Sequence, residues 1–157
     1  MSALLLILTN SIFWVLLHFL SGYLSHLLPS SFYTLKNPWF KKRCWELDGR
    51  LYVKLFRVKA WKDRVPEAGE LFRINPFNKK RFISKQKAYV ERFILETCRG
   101  ELAHWLPILF YPLSIIWNPP IGCWIMLAYA LLANLPFVII QRYNRIRLVR
   151  LGKEISS

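Results

Sequence analysis

The residues of this chain best suited to chemistry stand in one run, Glu96-Thr97-Cys98-Arg99-Gly100-Glu101-Leu102-Ala103-His104-Trp105. On a helix turning ~100° per residue, Arg99, Glu96, His104 and Glu101 spread in that order over roughly 200° of the circumference. His104 falls between the carboxylates, and because helical side chains lean toward the N-terminus it points back over Glu101 one turn earlier. A histidine beside a carboxylate is the usual machinery for deprotonating a hydroxyl nucleophile: the imidazole takes the proton, and the carboxylate fixes the tautomer and stabilises the imidazolium. On this reading His104 and Glu101 are the catalytic pair, while Glu96, Arg99 and Trp105 position the reactants. The competing explanation is structural, with Arg99 paired to Glu96 or to a lipid headgroup and His104 bridging two helices.

A second polar cluster, Gln141-Arg142-Tyr143-Asn144-Arg145-Ile146-Arg147, offers a different chemistry. Arginine forms bidentate pairs with phosphate, so Arg142, Arg145 and Arg147, with Tyr143 and Asn144, could hold a phospholipid headgroup or the phosphates of coenzyme A. The same residues could be only a belt of charge that stops a membrane helix. Other chemistries lack their motifs. Glu101-x-x-His104 matches half of a di-iron carboxylate site, whose second half is missing from the sequence. There is no GxSxG elbow, P-loop, HExxH or dinucleotide fingerprint. Cys44, Cys98 and Cys123 are odd in number and widely spaced, so they spell neither a disulfide framework nor a zinc site, and no metal is expected. Cys98 could carry an acyl group, but nothing beside it marks an activated thiol.

The elements that must position these residues follow from where the charge sits. The 157 residues are 54% hydrophobic, yet carry 23 Lys+Arg against 9 Asp+Glu. Residues 1–35 hold no formal charge; residues 36–92 hold 17 basic and 6 acidic side chains; residues 93–140 hold only Glu96, Arg99 and Glu101; residues 141–157 hold 5 basic side chains and Glu154. A nucleic-acid-binding face would not segregate in this way, whereas apolar blocks alternating with basic blocks describe a membrane protein obeying the positive-inside bias. No nucleic-acid partner is expected.

Ala3 to Leu28 is long enough to span the ~30 Å hydrocarbon core with a tilt. A signal peptide competes, but the basic n-region is missing and the apolar stretch exceeds an h-region of ~7–15 residues, so a retained signal-anchor is expected. His18 and His26 within it read as interior or interfacial residues, with no carboxylate or thiol to make them ligands. Ile121 to Ile140 is a second charge-free run, with a polar, kink-prone spot at Asn134 and Pro136. His104 to Trp117 is too short to cross unless its helix begins near Phe93, which brings Glu96, Arg99 and Glu101 toward the membrane at ~2.5–3.5 kcal/mol each. Asn118-Pro119-Pro120 is a turn between the two runs.

The expected architecture is therefore an all-α integral membrane protein, one membrane domain over 1–157 with about three transmembrane helices. These are 3–28 and a hairpin of 93–117 with 121–140; a basic interfacial segment, 36–92, follows the first and a basic tail, 141–157, the last. Within the basic segment, Arg50, Lys54 and Arg57 are spaced i, i+4, i+7 against Leu51, Tyr52, Leu55, Phe56 and Val58, which predicts an amphipathic helix lying in the interface. A strand is the rival assignment for the same residues. A turn is expected at Val65-Pro66-Glu67-Ala68-Gly69, then a polar stretch through Asn75-Pro76 and Asn78-Lys79-Lys80-Arg81.

Trp61-Lys62-Asp63 with the Pro66/Gly69 turn, ETCRGELAHW at 96–105 and ANLPFVIIQRYNRIRL at 133–148 together resemble the bacterial glycosyl-diaponeurosporenoate acyltransferases of staphyloxanthin-type carotenoid synthesis. The likeness covers roughly residues 50–150, and the patterns ET-x-R-x-E-x-x-HW and QRYNR-x-R are too long for chance agreement. The resemblance implies a membrane enzyme that esterifies the primary hydroxyl of a carotenoid-bound sugar with a fatty acyl group. It implies an acyl-CoA or acyl carrier protein thioester as co-substrate and no tightly bound cofactor. Implied partners are membrane lipids, the glycosylated carotenoid, the acyl donor and other carotenoid-synthesis enzymes. Two further readings stay open: a non-catalytic scaffold for a pigment-synthesis complex, and another enzyme acting on lipid or isoprenoid head groups.

The charge pattern predicts three crossings of the cell membrane, with the N-terminus outside and both basic blocks in the cytoplasm. Single cysteines replacing Asn78 or Arg150 should resist a membrane-impermeant thiol reagent in intact cells and react once the membrane is opened. Labelling of either position from outside overturns this topology.

Overall fold

The computed structural model describes residues 2–65 and 87–156. The described residues are mostly helical, with no strand among them, which removes the strand assignment for Arg50–Trp61. Helix α1 runs Ala3–Leu27, α2 Arg50–Lys54, α3 Val58–Trp61, α4 Lys87–Phe110 and α5 Pro120–Ser156. Short 3-10 turns occur at Ser30–Phe32, Cys44–Gly49, Lys62–Arg64 and Tyr111–Ile116. The expected turn after Val65 and the polar stretch through Arg81 lie outside the described residues. The chain divides into two compact units: Met1–Pro29 with Arg99–Val138, and Ser30–Cys98 with Ile139–Ser157.

The first unit has its polarity reversed relative to a soluble core. The buried residues of α1 are Asn10, Trp14, Leu17, Ser21 and Ser25, on one face at i, i+4, i+7, i+11, i+15. Leu4, Ile7, Ile12, Leu16 and Leu20 point outward and are more than half exposed. Helices α1 and α5 are both long and apolar enough to cross a membrane, and only 17% of each apolar window is buried within the protein. That is too little for core helices of a soluble domain and suits a lipid-facing surface. With Arg92, Glu96, Arg99 and Glu101 along it, α4 is not among the helices that qualify as spans.

Two amides hold the hairpin turn to α1. Asn10 Nδ2 donates to Asn118 Oδ1 and Asn118 Nδ2 donates to Asn10 Oδ1, each at 2.9 Å. Trp117 Nε1 adds a third bond to Asn10 Oδ1 at 3.0 Å, and Asn118 Nδ2 also reaches the Ser114 carbonyl at 2.8 Å. A reciprocal amide pair satisfies donors and acceptors where no water is at hand. Pro120 opens α5 at a position whose N–H would be unpaired anyway. Around this anchor Trp14, Leu17 and Ala130 form an apolar cluster.

The second unit is organised round Glu46, which has no solvent exposure. Arg142 on α5 grips it with both arms of the guanidinium, Nε to Oε1 at 2.8 Å and Nη2 to Oε2 at 3.2 Å. The Tyr52 hydroxyl donates to Oε1 and the Arg43 backbone N–H to Oε2, both at 2.5 Å. Burial works to raise the Glu46 carboxyl; the hydrogen bonds from Arg142, Arg43 and Tyr52 outweigh it and hold the group below the usual carboxylate range. Tyr52 is pushed upward, first by burial and then by the bond it donates to Glu46. Beside this centre Tyr52, Val58, Tyr143 and Ile146 pack into one cluster, and Val90, Phe93 and Leu148 into another.

One expectation changes here. The amphipathic helix over 50–61 is broken into α2 and α3, because Arg57 takes a left-handed conformation, φ 48°. The register of its apolar face is lost with the break: Tyr52 and Val58 are buried, while Leu55 is 67% and Phe56 39% exposed. The basic tail after Ile140 is the continuation of α5, a single 37-residue helix. Its Arg, Leu and Lys residues are good helix formers, and burial of Tyr143, Ile146 and Leu148 adds tertiary support.

Replacing Glu46 by Ala leaves Arg142 in a buried setting without its counter-charge, which should cost about 3–5 kcal/mol. Because the folded carboxyl titrates below its unfolded value, its contribution is present above the ordinary carboxylate range and is lost as pH falls through the folded value. Thermal melts in detergent from neutral to acid pH should show that loss in the parent chain, and Glu46→Gln should lack this component.

Candidate active site

The predicted run 96–105 lies on α4 but is divided between the two units after Cys98. In the first unit, Nδ1 of His104 lies 3.1 Å from Oδ1 of Asn134, and its ring stacks on Phe137 with centroids 4.4 Å apart and planes 10° from parallel. Asn134 is fully buried, and its Nδ2 donates to the Ala130 carbonyl at 2.9 Å, which fixes which end of the amide faces the histidine. An amide oxygen only accepts, so Nδ1 carries the ring proton and Nε2 of the neutral imidazole is left with a lone pair. His104 itself is half-buried, open enough to meet a ligand.

Why the chain places these groups here is local. Asn134 and Phe137 are three apart on α5 and share a face. Pro107 and Pro136 lie inside α4 and α5, and each lacks the N–H that would bond the carbonyl four residues back, at Ala103 and Leu132. The polar station therefore sits between two interrupted stretches of backbone hydrogen bonding, a feature of membrane helices that line sites.

The other predicted residues are placed as follows. Glu101 is fully buried and accepts from Trp105 Nε1 at 3.2 Å, one turn along the same helix. Arg99 is buried and its Nε donates to the Ser25 carbonyl at 3.2 Å. That carbonyl belongs to the last turn of α1, where unpaired acceptors and the helix dipole both favour a cation. In the second unit Glu96 pairs with Arg92 at 2.9 Å. Cys98 is fully buried, with Arg145 Nη1 3.5 Å from its sulfur.

Among the residues proposed for phosphate, Arg142 has its fork on Glu46 and donates further to the carbonyls of Trp39 and Lys41, at 3.4 and 3.2 Å. Its geometry is that of a buried tie. Arg145 is 3% exposed and lies against the Phe40 ring, its carbon 5.6 Å from the centroid. Arg147 is exposed beside Tyr143, which is itself buried, and Asn144 is half-buried. Trp61 Nε1 bonds the Phe56 carbonyl at 2.8 Å, and Lys62 pairs with its neighbour Asp63.

Asn134 is the residue whose part in the site sequence reasoning missed. Its polarity within an apolar run was the available signal, but spacing along one helix says nothing of a partner thirty residues away on another.

A family model described as glycosyl-4,4'-diaponeurosporenoate acyltransferase matches residues 36–154. A protein of that name from Staphylococcus haemolyticus (strain JCSC1435) is 36% identical over 142 residues, covering 90% of this chain and 81% of the relative. Another, from Staphylococcus aureus (strain bovine RF122 / ET3-1), is 34% identical over 143 residues, covering 90% and 84%. No solved structure matches the chain.

The hydrogen-bond pattern predicts that neutral His104 carries its proton on Nδ1. Nitrogen-15 NMR of ring-labelled protein in detergent should show that tautomer, and Asn134→Leu should shift the ring toward the Nε2–H form. An Nε2–H ring in the parent protein contradicts the assignment.

Proposed function

Since this chain belongs to the glycosyl-4,4'-diaponeurosporenoate acyltransferase family, we propose that it esterifies the primary hydroxyl of a glycosylated carotenoid with a fatty acyl group. This would be the last step of a staphyloxanthin-like pigment synthesis. The observation that carries the reading is the His104 station, a half-buried ring held by Asn134 at Nδ1 and stacked on Phe137.

In this mechanism Nε2 of His104 takes the proton of the sugar hydroxyl as its oxygen attacks the thioester carbonyl carbon. A C–O bond forms and the C–S bond breaks. The departing sulfur recovers the proton from the imidazolium, giving ester and free thiol. Glu101, one turn away on α4, supplies the negative charge that favours the imidazolium, and Trp105 holds that carboxylate in place. Arg99 ties the start of the site to the end of α1. The polyene lies in the bilayer against the outward apolar faces of α1 and α5, and the thioester comes from the cytoplasmic side. On this reading α4 makes a third crossing, along which Glu96, Arg99 and Glu101 are buried within the protein.

A positioned base contributes ~10²–10⁴-fold, so His104→Ala should lose most of that in single-turnover acylation at saturating donor, with its melting midpoint kept. His104→Gln should not recover the rate, since an amide cannot take the proton. Glu101→Gln and Asn134→Leu should be milder, because each leaves the base in place. Near-normal turnover in His104→Ala removes His104 from the chemistry.

A further inference from the structure

The second unit holds a cleft of about 290 Å³ that the proposed chemistry at His104 does not use. Lys41 and Lys42 line one side, and Arg145, Arg150 and Lys153 of α5 line the other. Two carboxylates also border it, but both are already engaged. Glu46 is held by Arg142, Tyr52 and Arg43. Asp48 pairs with Lys42, whose hydrogen bond and charge draw it below the usual carboxylate range. The lining therefore carries an excess of cations facing a concave space. Its walls also include Phe40, Ile146 and Val149, so apolar surface adjoins the cations.

A charged helix face on a basic protein is ordinarily just solvated. Two features distinguish this one. The cations converge from two separate segments onto one hollow, and Arg145 among them is 3% exposed, already stripped of most of its water beside Phe40. A desolvated guanidinium backed by lysines is a setting in which phosphate oxygens bind strongly.

We propose that this cleft binds a phosphate-bearing ligand, with its phosphates on Lys41, Arg150 and Lys153 and its apolar part along Phe40 and Ile146. The sequence pattern nominated Arg142, Arg145 and Arg147 for phosphate; the structure keeps Arg145 at the cleft, uses Arg142 to hold Glu46, and brings in three residues that no motif marked. The phosphate can come from the coenzyme A part of an acyl donor, which rests on the acyl-transfer reading, or from an anionic phospholipid headgroup, which does not.

The test uses the full chain in an uncharged detergent, with adenosine 3',5'-bisphosphate as the soluble probe. In a second arm the chain sits in phosphatidylcholine nanodiscs with or without phosphatidylglycerol. A saturable rise in melting midpoint with the bisphosphate supports the donor source, and a rise only with phosphatidylglycerol supports the lipid source. In either case Lys41→Gln combined with Lys153→Gln should weaken the effect about tenfold while leaving the unliganded midpoint unchanged. No response to either probe, or an equal response in the double variant, overturns the proposal. A chain that binds a probe but transfers no acyl group sinks the acyl-transfer reading and leaves the cleft; acyl transfer without probe binding does the reverse.

Discussion

A carboxylate with no exposure to water must meet a cation and hydrogen-bond donors or give up its charge, and the second unit is arranged to meet that demand at Glu46. Arg142 reaches it from α5, Tyr52 from α2, and the Arg43 N–H from the chain just before it. The stretch from Arg43 to Tyr52 and the distant α5 are thereby fixed to one point. Leu47, Asp48 and Gly49 follow at once, with φ of 49°, 57° and 86°. For the first two this conformation costs of order 1–3 kcal/mol each and persists only where the surroundings over-determine it. Gly49 takes its φ of 86° without that cost, and it is the backbone angle that calls for glycine, since an added Cβ would meet Ile146 at 3.6 Å and Tyr143 at 3.7 Å in ordinary van der Waals contact.

At the hairpin turn and at His104 the first unit uses neutral groups, alongside its buried Arg99 and Glu101. Asn10 and Asn118 satisfy one another, Trp117 and Ser114 complete the set, and Asn134 divides its amide between Ala130 and His104. Amides carry no net charge, so burying them avoids the Born penalty of an ion. Apolar side chains are left for the outside, where lipid tails offer them no loss. The histidine is thus held by a partner that can fix its tautomer without adding a charge.

What the sequence made legible was whatever depends on composition over a window. Two apolar helices, the turn at Asn118-Pro119, and the clustering of unusual residues between 96 and 105 all follow from runs of like residues or from proline. Local breaks were not legible. Nothing about Arg57 announces a left-handed residue, since its type is at home in a helix and only tertiary packing of Tyr52 and Val58 on α5 stops the helix there. Pairings between distant segments were hidden for the same reason: Glu46 looked like one acid among many basic neighbours, and QRYNR-x-R looked like one functional cluster.

Contiguity in a motif need not mean a common site, and this chain shows why on both of its long helices. Side chains one turn apart share a face, but those one or two residues apart point in different directions. In QRYNR-x-R, Arg142 holds a buried carboxylate, Tyr143 enters an apolar cluster, Arg145 borders a cleft and Arg147 stands exposed. Along 96–105, Glu96 meets Arg92, Arg99 closes the end of α1, Glu101 takes the Trp105 N–H and His104 finds Asn134. Each residue type is therefore demanded by a different neighbour. A long motif on one helix then answers several independent physical requirements, of which chemistry is one, and a substitution within it acts through whichever neighbour it loses.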